Sequence, residues 1–126
     1  MNKRLLSIAL VAGLPLVATA ANAESILNAN QVKKLVTGKT IQAKHNLEGF
    51  KFSVYFDKDN KTAFRKQKGS TTKINYMFKG DKHCTQWKDQ IRCANIRANK
   101  DGTWSRINSS GKTVITWSSI SDGKKL

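Results

Sequence analysis

The segment FKFSVYF, residues 50–56, places an apolar side chain at every second position. Successive side chains of a β-strand point to opposite faces, so this alternation predicts a strand with one buried face. Residues 72–79, TKINYMFK, repeat the pattern with Ile74, Tyr76 and Phe78 on one side. These two segments predict a β-sheet that covers an apolar core.

Turn-forming residues divide the chain after Gly38 at near-regular intervals. The breaks lie at 46–49, 57–60, 69–70, 80–81, 88–89, 99–102 and 108–111. They leave eight predicted strands, at 39–45, 50–56, 61–68, 72–79, 82–87, 90–98, 103–107 and 112–118. Residues 119–126 follow the last strand, and we expect this tail to be frayed.

Eight short strands without a second helix predict a mainly β protein built as an antiparallel meander. Closing the meander into a small barrel would remove the exposed strand edges. The interior of an eight-stranded barrel is either packed or holds one small ligand. A two-sheet β-sandwich is the alternative, because the third, sixth and seventh predicted strands do not alternate cleanly.

One short helix is predicted before the first strand. Asn28 is a favourable N-cap and Gln31 stands three residues later, which is the spacing of a capping box. Apolar residues follow with helical periodicity, and Gly38 suits the helix C-terminus. We therefore expect a helix over about 29–37 that plugs one end of the barrel or packs outside it.

Residues 1–23 have the features of a secretory signal peptide. Lys3 and Arg4 precede an apolar run at 5–17, and Ala21-Asn22-Ala23 offers small residues at a peptidase site. The run is shorter than the ~20 residues of a membrane-spanning helix. We expect cleavage before Glu24, a periplasmic or secreted protein, and no stable membrane insertion after the signal peptide is removed.

Residues 24–126 then form a single β domain of 103 residues. With Lys3 and Arg4 removed, 21 of the 23 basic residues remain against 8 acidic ones, a net charge of +13. This balance favours anionic partners such as nucleic acid, acidic polysaccharide or acidic protein. The alternative is a charge that only keeps the protein soluble.

The cysteines, Cys84 and Cys93, fit a disulfide in an oxidising compartment. If Lys88-Asp89 is a two-residue hairpin loop, Thr85 faces Arg92 and Cys84 lies directly opposite Cys93. Hydrogen-bonded and non-hydrogen-bonded residue pairs alternate along an antiparallel hairpin. Counted from the loop, the cysteine pair is a non-hydrogen-bonded one, which has the shorter Cα–Cα distance. The strand register and the oxidising compartment therefore both predict a disulfide between Cys84 and Cys93.

The sequence carries no recognisable catalytic or metal-binding motif, so we expect no enzyme, no metal and no cofactor. Residues 57–61 only faintly resemble a calcium loop, because Thr62 and Lys68 stand where glycine and glutamate belong. His83 is next to Cys84 on a predicted strand, so the two side chains point to opposite faces. Nucleophilic catalysis by a Cys–His pair is therefore not expected.

Basic residues are dense between Asp59 and Asp81, where the sequence has no acidic residue. Paired as a hairpin, 61–68 and 72–79 would gather these side chains on one ribbon together with aromatic ones. Such a combination suits an anionic ligand. The predicted anion-binding residues are Lys61, Arg65, Lys66, Lys68, Lys73, Lys79 and Tyr76. A solvated basic face with the aromatics in the core is the alternative.

The three tryptophans, Trp87, Trp104 and Trp117, are predicted to lie in the core. Tryptophans in a small β domain most often lie in the core or plug a barrel end, where the large ring buries much apolar surface. A cavity lined by aromatic side chains is the alternative interpretation.

Two short elements resemble those of small exported proteobacterial proteins of uncharacterised function. One is the signal peptide followed by residues 27–40, LNANQVKKLVTGKT; the other is Cys84-Thr85-Gln86-Trp87 with Cys93. The resemblance implies a lipocalin-like or calycin-like β fold and no catalytic residue. Such proteins often carry Gly-x-Trp ahead of the first cysteine, where this chain has Ile74-Asn75-Tyr76.

We expect an exported, non-enzymatic binding protein whose basic face takes anionic ligands such as envelope polymers or acidic proteins. The rival hypothesis is a lipocalin-like carrier of a small apolar ligand in the barrel interior, and a structural or stress-related envelope protein is a third. The salt dependence of binding distinguishes the first two hypotheses, because binding to a basic face weakens steeply with ionic strength and binding in a cavity hardly changes.

Overall fold

The computed structural model describes residues 24–126, and the predicted signal peptide lies outside the described residues. The described elements follow in chain order, with one helix, α1, after the first strand. They are β1 Ser25–Ile26, α1 Ala29–Val36, β2 Lys39–His45, β3 Lys51–Phe56, β4 Thr62–Gln67, β5 Ser70–Lys79, β6 Lys82–Trp87, β7 Gln90–Ala98, β8 Trp104–Ile107 and β9 Thr113–Asp122.

Strands β2–β9 form an antiparallel meander that closes into an eight-stranded barrel. Each strand pairs with the next along the chain, and β9 returns to pair with β2 through Ile120 and Ile41. Every one of these strands therefore has a neighbour on both edges. The barrel prediction is confirmed over the sandwich alternative.

The alternating segment 50–56 supplies much of the core, as predicted. Phe52, Val54 and Phe56 point inward and are buried, and they pack with the inward-facing Ile41 and Ala43 of β2. Inward side chains of the other strands complete a single apolar cluster. The core therefore lies inside the barrel, and the lysines of β3 and β5 lie outside it.

The helix α1 plugs one end of the barrel. Asn28 Oδ1 accepts from the Gln31 amide at 2.9 Å and the Gln31 side chain accepts from the Asn28 amide at 2.8 Å, so the predicted capping box is present. Val32 and Val36 are fully buried in the core cluster. The helix reaches from the β5–β6 turn, where the Ala29 amide donates to Asp81, to the β3–β4 turn.

The predicted disulfide is present in the β6–β7 hairpin. Cys84 lies directly opposite Cys93 with a Cα–Cα distance of 4.0 Å, and Trp87 lies opposite Gln90 across the Lys88-Asp89 loop. The disulfide joins the outer faces of two neighbouring strands, because His83 points inward beside it.

The predicted frayed tail is wrong for most of its length. Strand β9 continues to Asp122, because a bulge between Trp117 and Ser119 shifts the alternation and returns Ile120 to the core. Beyond the strand, the Lys125 amide donates to Thr40 Oγ1 at 2.9 Å. The short strand β1, which pairs with Arg97 and Ala98 of β7, was not predicted either.

Candidate ligand-binding cavity

The end of the barrel opposite α1 is open and leads into a cavity of about 950 Å³. We call this open end the mouth; it is bordered by the β2–β3, β4–β5, β6–β7 and β8–β9 turns. Four of the inward side chains on the β5–β7 side are short and leave space in the interior. These are Ser70, Thr72, Thr85 and Ala94.

Arg106 of β8 lines the cavity, although only 7% of the residue is exposed. Its guanidinium is held by neutral groups of the neighbouring strands. One nitrogen donates to His83 Nδ1 at 2.6 Å, and the other donates to the His83 carbonyl at 3.1 Å and to the Arg92 carbonyl at 3.3 Å. Burial lowers the pKa of Arg106 to about 10, so the group keeps its positive charge at neutral pH.

His83 is the neutral partner that positions this arginine. Burial, and then the nearby Arg106 charge, hold the pKa of His83 well below its usual range. Because Nδ1 accepts from Arg106, the ring proton lies on Nε2, which has no hydrogen-bond partner among the described residues. The ring is enclosed by the aromatic side chains of Phe56, Phe78 and Trp117 at centroid distances of 5.0–5.9 Å.

Arg65 of β4 enters the cavity from another wall. Its guanidinium carbon lies 4.4 Å from the centroid of the Phe52 ring and 5.7 Å from that of Phe50, distances typical of cation–π contacts. It also donates to the Gln67 side chain at 3.1 Å. Burial, and then the charge of Arg92 on β7, lower the pKa of Arg65. All three arginines line the cavity, Arg106 buried, Arg65 partly buried and Arg92 exposed.

Negative charge is scarce around these arginines. Glu48, in a mouth turn, is the one carboxylate among the described residues that line the cavity. The one ion pair found within residues 24–126 joins Lys39 Nζ and Asp122 Oδ1 at 3.5 Å, at the plugged end. Buried charges in proteins are usually paired, so a buried guanidinium without a carboxylate partner is unusual.

The rest of the cavity wall is largely apolar. Phe52, Val54, Phe56, Ile115 and Trp117 face it from β3 and β9. A ligand that fills this space would contact aromatic and aliphatic side chains over most of its surface and guanidinium groups at a few points, which is the usual composition of a small-molecule site.

At the mouth the prediction of three core tryptophans fails for one of them. Trp117 is buried and Trp104 packs against the core, whereas Trp87 is 51% exposed. Trp87 lies beside the turn of the β6–β7 hairpin, where its ring lines the mouth and contacts Lys88 Nζ at 4.7 Å. On the opposite side of the mouth, His45 stacks on Phe50 at a centroid distance of 5.0 Å.

The predicted anion-binding ribbon is divided between the two faces of the wall. Strands β4 and β5 do form the hairpin, but Arg65 and Tyr76 face inward. Tyr76 is buried and donates its hydroxyl to the Asp57 carbonyl at 2.8 Å, so its ring offers no outer stacking surface. Of the five lysines, Lys66 and Lys73 lie on the outer face, Lys68 lies at the mouth, and Lys61 and Lys79 lie toward the plugged end.

Sequence reasoning did not place Arg92 and Arg106 on the cavity wall, although the sequence held an indication of them. The third, sixth and seventh predicted strands were those that did not alternate cleanly. They correspond to β4, β7 and β8, which carry Arg65, Arg92 and Arg106 on their inner faces. Broken alternation marked the strands that line a charged cavity.

Comparisons with known proteins give no match: no protein-family model matches the chain, and no curated protein or solved structure is significantly similar to it. The resemblance to small exported proteobacterial proteins therefore stays a prediction. Within residues 24–126 there is no group of three His, Cys, Asp or Glu side chains that could hold a metal ion. The same residues contain no helix of the length and apolarity needed to span a membrane.

Proposed function

We propose that this chain is an exported, non-enzymatic binding protein whose barrel interior takes a small amphiphilic anion. The observation that carries the proposal is Arg106, a charged and buried guanidinium that lines the cavity with no carboxylate partner among the described residues. An anionic group of a ligand would supply the missing counter-charge.

The electrostatics of the interior support an anion over a neutral ligand. The charge of Arg92 contributes to the lowered pKa of Arg65, which means that the two positive groups repel each other across the cavity. An anion between them would relieve this repulsion, and arginine–carboxylate or arginine–phosphate hydrogen bonds are among the strong ones in proteins. His83, being neutral, does not add to the repulsion.

The walls and the volume favour a ligand that also has an apolar body. The cavity of about 950 Å³ is at the upper end of the ~300–1,000 Å³ range typical of small-molecule sites. Its apolar walls, among them Phe52, Val54 and Trp117, would be left in contact with water by a purely ionic ligand such as phosphate. An anionic head group with an aliphatic or aromatic body meets both requirements.

Binding fits the residues better than catalysis does. The two cysteines are joined in a disulfide, so neither offers a thiolate. His83 Nδ1 already accepts a hydrogen bond from Arg106, and burial keeps the ring neutral. The interior therefore offers charge and shape, and among the described residues His83 makes no side-chain hydrogen bond to a hydroxyl or thiol group.

Isothermal titration calorimetry with three matched probes tests the proposal. Laurate carries an anionic head, dodecanol a neutral one and dodecyltrimethylammonium a cationic one on the same chain. We expect laurate to bind at least tenfold more tightly than dodecanol, because a hydrogen bond to a charged group contributes ~1.5–3 kcal/mol. We expect no binding of the cationic probe. Equal binding of laurate and dodecanol would instead support the carrier of a neutral apolar ligand.

Two variants decide between the interior and the outer basic face. Arg106→Met removes the most deeply buried of the cavity charges with little change in size, and Lys66→Gln/Lys73→Gln removes two outer charges from the β4–β5 hairpin. The interior site requires a loss of laurate affinity of about tenfold or more in Arg106→Met and wild-type affinity in the lysine variant. A larger loss in the lysine variant would place the anion on the outer ribbon and overturn the proposal.

A further inference from the structure

Exposed apolar side chains cluster around the mouth. Four large apolar residues are strongly exposed in the described chain, and three of them border the open end. Leu47, 57% exposed, lies in the β2–β3 turn, and Trp87 and Ile91 lie in the β6–β7 hairpin on the other side of the mouth. The fourth, Ile26, is 53% exposed on β1, far from the mouth.

Lysines surround the same opening. Lys44 and Lys51 lie directly opposite each other on β2 and β3, on both sides of the turn that carries Leu47. Like charges in such a position repel each other, so this pair would gain from an anionic partner. The remaining three mouth turns each carry one lysine at their tips or ends: Lys68, Lys88 and Lys112.

A shallow depression lies beside the lysine pair on the outer face. Its volume is about 470 Å³, and Lys44, Lys51, Thr116 and Ser118 are among the residues that line it. Ammonium and hydroxyl groups together are suitable donors for a phosphate group. Asn46, which belongs to the β2–β3 turn, also lines the depression, so one end of it lies beside the mouth.

The acidic residues are distributed in the opposite way. Glu48 and Asp89 lie in mouth turns, and the other six lie at the plugged end. These six are Glu24, Asp57, Asp59, Asp81, Asp101 and Asp122. The mouth thus carries two of the eight carboxylates, and it is also the end with three of the four strongly exposed apolar side chains.

We propose that the mouth docks on an anionic lipid bilayer, with Leu47 and Trp87 at the boundary between head groups and acyl chains and with Lys44 and Lys51 against lipid phosphates. Tryptophan favours this boundary because its ring is apolar and its N–H is polar. Lysines near an anionic membrane surface add attraction that falls with ionic strength. A soluble polyanion would use the lysines but would leave Leu47 and Trp87 without a role.

This surface is independent of the proposed interior ligand. Docking would place the cavity opening against the bilayer, but it uses side chains on the rim and the outer face. Arg106→Met should therefore bind vesicles as the wild type does, and failure of one proposal leaves the other standing.

Co-sedimentation with lipid vesicles tests the docking surface on protein expressed from the full-length chain. The vesicles contain equal parts of phosphatidylcholine and phosphatidylglycerol, with pure phosphatidylcholine as the uncharged comparison. We expect partitioning into the anionic vesicles that falls as salt is raised, together with a blue shift of tryptophan fluorescence that is absent in Trp87→Phe. Equal partitioning into both kinds of vesicle would overturn the role of the lysines.

Matched variants separate a docking surface from overall charge and hydrophobicity. Leu47→Ser/Trp87→Ser should weaken partitioning by roughly tenfold or more, and Ile26→Ser should leave it unchanged. Lys44→Gln/Lys51→Gln should weaken it by about 30-fold at low salt, since each lysine near the surface contributes about fivefold. Lys79→Gln/Lys82→Gln is the control, because these two lysines also lie directly opposite each other, at the plugged end.

Two outcomes would overturn the docking proposal. Equal losses in the two lysine variants would mean that only the overall charge of the protein attracts it to the vesicles. Unchanged partitioning of Leu47→Ser/Trp87→Ser, with polyphosphate bound as strongly as the vesicles, would indicate a soluble polyanion as the partner of this surface. Urea unfolding of each variant checks that all of them are folded.

Discussion

Replacing Arg106 with methionine should cost the free protein little stability, because its charge is buried without a counter-charge among the described residues. Burial lowers the pKa of Arg106 from 12.5 to about 10, and each pKa unit corresponds to ~1.4 kcal/mol, so burial disfavours the charged form by about 3 kcal/mol. The substitution removes this cost. It also leaves His83 Nδ1 without its donor and removes the hydrogen bonds to the His83 and Arg92 carbonyls, which together costs ~1–3 kcal/mol.

The two effects largely offset each other, so the free energy of unfolding of Arg106→Met should lie within about 2 kcal/mol of the wild-type value. Urea unfolding at neutral pH, analysed for midpoint and slope, measures the difference. Arg97→Met on the outer face of β7 is the control for the loss of an arginine as such. Saturating laurate should stabilise the wild type and not Arg106→Met, because only a folded state that binds a ligand is stabilised by it.

A loss of 3 kcal/mol or more in the free Arg106→Met protein would refute this reasoning. Truncation of one partner of a buried ion pair typically costs ~3–5 kcal/mol, so such a loss would mean that the charge is already compensated in the free protein. The ligand would then not be needed as a counter-charge. Equal stabilisation of both proteins by laurate would also place the ligand away from Arg106.

Three further predictions concern stability and export. Cys84→Ala/Cys93→Ala should lower the free energy of unfolding by ~2–3 kcal/mol in urea, because the disulfide closes a short loop; an unchanged midpoint would contradict this. The free energy of unfolding of the wild type should fall by up to ~1.4 kcal/mol per pH unit as the pH drops below about 6.5, because the unfolded chain protonates His83 and the folded one does not. His83→Asn should lose this pH dependence and His45→Asn should keep it. An unchanged pH dependence in His83→Asn would contradict the prediction. Intact mass of protein from a periplasmic fraction should correspond to a chain that begins at Glu24, and full-length protein in the membrane fraction would contradict the signal peptide.

The elements that depend on local sequence could be predicted. Strand bounds follow from alternation and turn residues, and the capping box depends on two residues three positions apart. The opposition of Cys84 and Cys93 follows from a two-residue loop, since register in a hairpin is determined by its turn. These inferences need no knowledge of what lies on the other side of the barrel.

The cavity could not be predicted, because its inner wall reverses the usual polarity of a strand. In β4 the charged Arg65 points inward onto Phe52, and the aromatic Phe64 points outward under Lys124, whose Nζ lies 4.0 Å from the ring centroid. A rule that places apolar side chains inside gives the wrong face here. The contact between Arg106 and His83 joins β8 to β6 and exists only once the barrel has closed.

The end of β9 was missed for a related reason. Alternation is a reliable guide only while the pairing register is constant, and the bulge after Trp117 changes the register by one residue. From Ser119 onward the side chains that face the core are those that a regular strand would point outward. The apolar Ile120 therefore looked like an isolated residue in a polar tail.

Nuclear magnetic resonance of the arginine side chains during a laurate titration tests the central claim most directly. The resonance of the Arg106 Nε–H group can be assigned by its disappearance in Arg106→Met. If an anion binds in the interior, this resonance should shift with laurate concentration and saturate together with the heat measured by calorimetry, and Arg65 should shift with it. An unchanged Arg106 resonance at saturating laurate would contradict the interior site.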